Sequence, residues 1–235
     1  MRITLPSGTA AELARPDGDA LRGVVVVTDI MGLRPLFDDL CARLASEHGW
    51  VVCAVEPFPG REDLDLQGRM EAAAGLDDER QLGDLVAAAD ACGVAPVAVM
   101  GFCMGGMYAM KASATGRFDR AVAFYGMIRV PADWRGPGQG EPLDAVRSAG
   151  ACPVLAIVGE RDHYTPSADV DELVDAGATV VRYPEAEHGF VHDPARPAHR
   201  AGDAADAWGH VIAFLQVEPD AAGDVEPPTT APLDR

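Results

Sequence analysis

A glycine-rich turn near the middle of the chain contains a cysteine whose sulfur could act as a nucleophile. The segment Gly101-Phe102-Cys103-Met104-Gly105 follows an apolar, β-branched run and leads into a stretch that favours a helix. In a turn of the form Gly-x-nucleophile-x-Gly, the central residue occupies a strained bend, and the glycines keep other side chains away from it. Serine is usual at this position. Cysteine predicts covalent catalysis through a thiolate, if the chain also supplies a base.

Two later loops carry residues of the types that could activate Cys103. Asp162 follows one apolar run, and His188, in the sequence His-Gly-Phe, follows the next. The order nucleophile, acid, histidine is that of the catalytic triad in α/β-hydrolases. We expect His188 to take the thiol proton and later to activate water, and Asp162 to fix the tautomer of His188. Taken singly, Cys103 could also be a buried structural thiol, and Asp162 a turn residue.

The same chemistry needs N–H donors that face the negative charge developing on a substrate oxygen. The backbone N–H of Met104, directly after the nucleophile, is one predicted donor. The other is predicted to be the N–H of Ile30, in the loop after the apolar run 24–28. Because Cys103 precedes a predicted helix, the helix dipole should also favour its thiolate form.

The elements that must position these residues alternate between short apolar strands and helices. Strands are predicted at residues 2–5, 9–14, 24–28, 50–55, 94–100, 120–125, 153–158 and 179–183. Helices are predicted at residues 35–48, 77–91, 104–115, 166–176 and 198–215. This alternation predicts an α/β-hydrolase fold, in which a mostly parallel, twisted sheet carries helices on both faces.

Two long connections, residues 57–76 and 126–150, interrupt the alternation. Each follows a strand, so each should lie beside the carboxyl ends of the sheet, where open α/β folds bind ligands. The second is rich in proline and glycine and contains Trp134. A wall or lid of a pocket and an inert surface loop are equally compatible with this composition.

Length and composition predict one domain followed by a tail. The chain has 235 residues, of which 48% are hydrophobic, enough for one sizeable core. A single domain is predicted over residues 1–216. Residues 217–235 are acidic, rich in proline and without core residues, which predicts a disordered tail.

The net charge of −18 argues against binding to nucleic acid or to anionic membranes by bulk electrostatics. No apolar leader or membrane-spanning run occurs in the sequence, and we expect a cytoplasmic protein. The five cysteines form no C-x-x-C pair, so neither a disulfide framework nor a metal site is predicted. His192, His199 and Asp193 lie in a proline-bearing loop, which also makes a metal site there an unfavoured interpretation.

These residues resemble the dienelactone hydrolase family over residues 8 to 215 or so. The matching stretches include VVVVTDIMGLRP, AVEPFPG, GFCMGG, AVAFYG, GERDHYTP and EAEHGF. The resemblance implies that a triad of Cys103, His188 and Asp162 hydrolyses a lactone or small ester without a cofactor, as in the breakdown of catechols. A small-molecule substrate and a monomer or homodimer are expected.

The resemblance also implies a role for Asp29, which matches a family glutamate that hydrogen-bonds the resting thiol. Asp29 is one methylene shorter, and it could instead be a turn carboxylate that caps the next helix. A carboxylate beside the sulfur would hold Cys103 as a thiol until substrate displaces it. Gly189 and His192 stand where a serine and an arginine of the family are expected. The candidates for binding substrate are Phe58, Arg69, Tyr125, Trp134, Phe190 and His192.

Two other functions use the same residues. A thioesterase or acyl transferase would employ the triad on a different acyl donor. A non-catalytic ligand-binding protein on the hydrolase fold would use the pocket alone, which the presence of all three triad residue types disfavours. A phosphate-binding loop is excluded, because Met107 and Tyr108 follow Gly106 where lysine and serine or threonine would be needed.

Overall fold

One sheet organises residues 1–217, the part of the chain that this computed structural model describes. Its strands are β1 (Arg2–Thr4), β2 (Ala10–Ala14), β3 (Arg22–Val27), β4 (Trp50–Val55), β5 (Val97–Phe102), β6 (Ala121–Phe124), β7 (Val154–Gly159) and β8 (Thr179–Tyr183). They are ordered β1-β2-β4-β3-β5-β6-β7-β8 across the sheet. The β1–β2 and β2–β4 pairs are antiparallel, and the other neighbouring pairs are parallel. The predicted α/β fold with a mostly parallel sheet is confirmed.

The central strands are apolar throughout because the sheet is covered on both faces. All six residues of β3 are buried, as are all six of β4, β5 and β7. Side chains alternate between two hydrophobic clusters: Val24 and Val26 belong to one, Val25 and Val27 to the other. Neither face is therefore open, and the loops at the carboxyl ends of the strands remain as the place for a ligand.

The helices form the two outer layers. They are α1 (Pro35–His48), α2 (Leu66–Ala72), α3 (Asp78–Cys92), α4 (Met104–Ala112), α5 (Pro142–Val146), α6 (Ser167–Asp175) and α7 (Ala201–Gln216). Helices α1 and α7 pack their buried residues into one hydrophobic cluster, while α3 and α4 pack into the other. No helix of the described residues is both long and apolar enough to cross a membrane.

Helices α2 and α5 lie in the two long connections and were not predicted from the sequence. Helix α2 has seven residues and α5 has five, too few for an apolar face to recur with helical spacing. Asp65 begins α2, and its carboxylate accepts a hydrogen bond from the N–H of Gly68 at 2.8 Å. The predicted tail lies outside the described residues except for Val217.

Candidate active site

The backbone at Cys103 has the strained geometry expected of a nucleophile turn. Cys103 lies between β5 and α4 with φ 57° and ψ −118°, where residues other than glycine are rare. Its N–H donates to the carbonyl of Phe124 at 3.0 Å, which ties the turn to β6. A Cβ on Gly101 would lie 2.0 Å from the carbonyl oxygen of Gly105, and a Cβ on Gly105 would lie 2.2 Å from that of Val27. The two glycines therefore allow strand, turn and helix to approach this closely.

The structure brings His188 and Asp162 together, as the sequence predicts. Nδ1 of His188 lies 2.7 Å from Oδ2 of Asp162, whose other oxygen accepts the N–H of Tyr164 at 2.8 Å. Because the carboxylate is an acceptor, Nδ1 carries the hydrogen and Nε2 is left as the basic nitrogen. Nε2 is buried without a hydrogen-bond partner in residues 1–217, and His188 and Cys103 line the same cavity. This is the tautomer that a general base needs.

The charge state of His188 follows from its neighbours. Burial by itself lowers the pKa of His188, but the hydrogen bond to Asp162 and the interaction with Cys103 outweigh burial and raise the pKa to about 9. His188 therefore binds a second proton, on Nε2, readily near neutral pH. A histidine of this kind can take a proton and later return it.

In the loop after β3, a backbone hydrogen bond holds the peptide unit between Asp29 and Ile30. The carbonyl of Asp29, in the same peptide unit as the Ile30 N–H, accepts from the N–H of Gly32 at 3.0 Å. Ile30 itself lines the cavity. Met104 begins α4, so its N–H is one of the helix-end donors that have no partner inside a helix. The roles of Ile30 and Met104 as oxyanion donors stay predictions.

Arg69 does not line the cavity that contains Cys103, and its role in binding substrate stays a prediction. Arg69 is buried and pairs with Glu56 at 3.0 Å, and it donates to the carbonyls of Glu62, Leu64 and Ile30. All of its guanidinium nitrogens are used in holding loops together. Phe58 is fully buried beneath it, with the guanidinium 5.2 Å from the ring centroid, and does not line the cavity either.

Asp29 borders the cavity, and other residues hold its carboxylate, so control of the Cys103 thiol stays a prediction. Its two oxygens accept from both terminal nitrogens of Arg34, at 2.6 and 2.7 Å, from the N–H of Met31 and from Nε2 of His192. These four hydrogen bonds occupy the carboxylate, and none joins Asp29 to Cys103 among the described residues. The aspartate side chain, one methylene shorter than the family's glutamate, thus binds Arg34 and His192.

Three further substrate candidates lie behind the cavity wall. Tyr125 and Phe190 are fully buried, and the side chain of His192 is 1% exposed. The hydroxyl of Tyr125 hydrogen-bonds Nδ1 of His192, and the Phe190 ring packs 5.7 Å from that of Tyr125. None of the three lines the cavity, and their contacts with substrate stay predictions.

The cavity above Cys103 has a volume of about 620 Å³. Among the predicted substrate-binding residues, Trp134 lines this cavity. Helix α2 contributes Leu66, Gln67 and Met70 to the lining, so both long connections form part of the cavity wall. Its other apolar lining residues are Ile30, Met31 and Met127. A cavity of this size and character suits a small organic molecule.

Arg34, Tyr164 and Arg196 line the cavity and were not predicted to do so from the sequence. Tyr164 could have been found from its position two residues after Asp162. Arg34 lies five residues after Asp29 and directly before α1. Arg196 lies in the loop that follows His188, and nothing in its spacing indicates that its side chain turns back toward the histidine.

A parallel sheet with a strained nucleophile turn and an acid–histidine pair on later loops defines a protein of the α/β-hydrolase class. The sequence model of the Dienelactone hydrolase family matches residues 9–218, and the chain belongs to that family. The resemblance stated from the motifs is therefore confirmed.

Individual relatives agree with this assignment. The carboxymethylenebutenolidase of Rhodococcus opacus is 29% identical over 210 residues, covering 82% of this chain and 80% of the relative. A Synechocystis sp. protein provisionally named a carboxymethylenebutenolidase is 28% identical and covers 83% of this chain and 85% of its own. A Klebsiella pneumoniae crystal structure, provisionally named a dienelactone hydrolase, superposes with a TM-score of 0.81 at 27% identity, covering 92% of this chain and 98% of that one.

Proposed function

We propose that this protein hydrolyses a lactone or small carboxylic ester through a covalent thioester on Cys103. The observation that carries the proposal is the orientation of His188: Asp162 holds its Nδ1, its Nε2 has no hydrogen-bond partner in residues 1–217, and His188 and Cys103 line the same cavity. Relatives named as carboxymethylenebutenolidases support a lactone as the substrate.

The reaction would proceed in two acyl-transfer steps. The Cys103 thiolate attacks the carbonyl carbon, and the N–H groups of Met104 and Ile30 stabilise the negative oxygen. As the carbon–oxygen ester bond breaks, His188 gives its Nε2 proton to the leaving alkoxide. His188 then removes a proton from water, the hydroxide adds to the thioester carbon, and the carbon–sulfur bond breaks to release the acid and the thiolate. For a lactone, the freed hydroxyl stays on the acyl chain, and the second step releases a single hydroxy acid.

Cys103→Ala is expected to lower hydrolysis of p-nitrophenyl acetate and of dienelactone about a thousandfold or more, because no covalent intermediate can form. Mass spectrometry of the acid-quenched wild type should show the acyl group on the peptide that contains Cys103. Iodoacetamide should modify Cys103 ahead of the half-buried Cys152. Cys152→Ala serves as the matched control and should keep full activity.

The alternatives give different results in the same experiment. Turnover of acyl thioesters far above that of oxygen esters would indicate a thioesterase or acyl transferase. Absence of ester turnover, with alkylation of Cys103 no faster than that of a free thiol, would indicate a non-catalytic ligand-binding protein. Full ester turnover by Cys103→Ala would contradict the proposed nucleophile.

The cavity also favours an acyl substrate that carries a negative group. The guanidinium of Arg196 lines the cavity and has no hydrogen bond or ion pair in residues 1–217, whereas Arg34 is neutralised by Asp29. Gly189, with φ 79°, leaves the space that Arg196 uses, since a Cβ there would lie 2.6 Å from Nη1. An unpaired guanidinium binds a carboxylate well, because its fork of N–H groups matches the two carboxylate oxygens.

Arg196→Gln is expected to raise KM about 10- to 100-fold for esters with a free carboxylate, because one charge-assisted hydrogen bond is lost. The KM for p-nitrophenyl acetate should stay unchanged. Steady-state kinetics on paired esters with and without a carboxylate measures this. Arg117→Gln, in a surface ion pair with Asp90 away from the cavity, is the charge-matched control. An equal rise in KM for both ester classes would contradict an anion site.

A further inference from the structure

A buried chain of hydrogen bonds runs behind the cavity wall and centres on His192. Nε2 of His192 lies 2.8 Å from Oδ2 of Asp29, and Nδ1 is hydrogen-bonded to the hydroxyl of Tyr125. Asp29 in turn accepts from both terminal nitrogens of Arg34. With 1% of its side chain exposed, His192 has no access to substrate from solvent. Its two ring nitrogens therefore serve the protein and not a ligand.

The protonation of these groups gives each hydrogen bond a direction. Burial alone raises the pKa of Asp29, but hydrogen bonds from His192 and Arg34 outweigh burial and hold the pKa well below its usual range, so Asp29 is an acceptor. Burial raises the pKa of Tyr125 well above its usual value, so Tyr125 keeps its hydroxyl hydrogen. His192 with hydrogen on Nε2 alone satisfies all three groups, because Nε2 donates to Asp29 and Nδ1 accepts from Tyr125.

This chain of hydrogen bonds connects the parts of the site that must be aligned for catalysis. Asp29 shares a peptide unit with the N–H of Ile30, the predicted oxyanion donor. Tyr125 directly follows β6 and, like Cys103, has a positive φ. The His192 ring stacks 4.9 Å from the ring of Phe102, the residue before the nucleophile. His192 thus contacts the loop after β3, the end of β6 and the end of β5 at once.

We propose that His192 is a positioning residue that holds the Asp29–Ile30 peptide, through Asp29, at the distance from Cys103 that oxyanion stabilisation requires. This inference rests on the proposed hydrolase function. His192 touches neither substrate nor the reacting sulfur. It links the side chain of Asp29 to the hydroxyl of Tyr125 through its two ring nitrogens. Small displacements of an oxyanion donor carry a large kinetic cost, because its hydrogen bond strengthens only as the negative charge develops.

Two reactions at the same sulfur separate this role from a general structural one. Ester hydrolysis passes through an oxyanion. Alkylation of Cys103 by iodoacetamide displaces iodide at carbon, forms a carbon–sulfur bond and creates no oxyanion. A misplaced Ile30 N–H should therefore slow hydrolysis and leave alkylation unchanged.

Three variants each remove a different part of the hydrogen-bond chain between Asp29, His192 and Tyr125. His192→Gln can still donate to Asp29 from its amide, His192→Asn can still accept from Tyr125, and Tyr125→Phe removes only the hydroxyl. We expect His192→Asn to lower kcat for p-nitrophenyl acetate about 10- to 100-fold with KM and the alkylation rate nearly unchanged. His192→Gln should recover most of kcat, and Tyr125→Phe should lie between the two. His210→Gln, at an exposed position of α7, is the matched control.

Several results would overturn the proposal. Equal losses of alkylation and hydrolysis in the folded variants, checked by thermal unfolding, would assign His192 to general stability. A change confined to KM would assign it to substrate binding, and unchanged kinetics in all three variants would remove any role. Failure of the proposed function is distinguishable, because it would appear with His192 intact, either as full ester turnover by Cys103→Ala or as no ester turnover by the wild type.

Discussion

His188→Ala is expected to lower kcat/KM for ester hydrolysis about a thousandfold or more, because general acid–base catalysis contributes about 10²- to 10⁴-fold and the thiol also loses its base. In the proposed mechanism, both acyl-transfer steps need Nε2 of His188, first to protonate the leaving alkoxide and then to activate water. Burst kinetics on p-nitrophenyl acetate measures the two steps separately. We expect a loss in each. An unchanged deacylation rate in His188→Ala would contradict the assignment.

Asp162→Asn provides a graded comparison at the same site. The asparagine amide can donate where the carboxylate accepts, which would move the imidazole hydrogen from Nδ1 to Nε2 and remove the basic nitrogen from the cavity. The tautomer of His188 depends on the 2.7 Å hydrogen bond to Asp162, so activity should fall strongly even with the imidazole present. Asp171→Asn, a surface carboxylate paired with Arg182, is the control.

The raised pKa of His188 also predicts how stability depends on pH. The folded state binds this proton more tightly than the unfolded state, whose histidine titrates near 6.5. The stabilisation is therefore fully present below pH 6.5 and is lost as the pH rises through about 9. Thermal unfolding of the wild type should show this decline, and His188→Ala should remove it.

Gly105→Ala is expected to destabilise the fold by about 3 kcal/mol or more, because the added Cβ meets backbone that cannot move aside cheaply. This Cβ would lie 2.2 Å from the carbonyl oxygen of Val27 and 2.3 Å from that of Thr28. To relieve the overlap, α4 must move away from β3, which separates Cys103 from the Ile30 loop. For a chain of this size, the expected loss in Tm is about 10 °C.

Gly83→Ala is the matched control for this substitution. Gly83 lies inside α3, and a Cβ there meets no atom within 4 Å. Alanine is the better helix former by about 0.5–1 kcal/mol, so this variant should be slightly more stable than the wild type. A similar Tm for the two variants would show that the close approach of α4 and β3 is not essential.

Much of this arrangement could be predicted because its determinants are local in sequence. Each central strand is a continuous apolar run, and α1 and α3 are long enough for helical periodicity to appear. The chain order of Cys103, Asp162 and His188 placed them on loops at one edge of a parallel sheet without knowledge of the packing. In the structure, His188 and Asp162 are hydrogen-bonded, and His188 shares a cavity with Cys103.

What could not be predicted depends on contacts between distant residues. The partners of Asp29 are Arg34 nearby and His192, 163 residues away in the chain, and no local pattern indicates that they occupy its carboxylate. Arg69 has the right type and region for an anion site, but its charge is neutralised by the buried Glu56. For both residues, the charged partners inside the fold determine which groups the side chain binds, and a single sequence does not reveal those partners.

The left-handed backbone at Gly189 has an evolutionary consequence. In a relative with a side chain at this position, an arginine at position 196 would have to place its guanidinium differently, because a Cβ at position 189 would lie 2.6 Å from the present Nη1. We expect such relatives to differ from this protein in the shape of this part of the cavity wall.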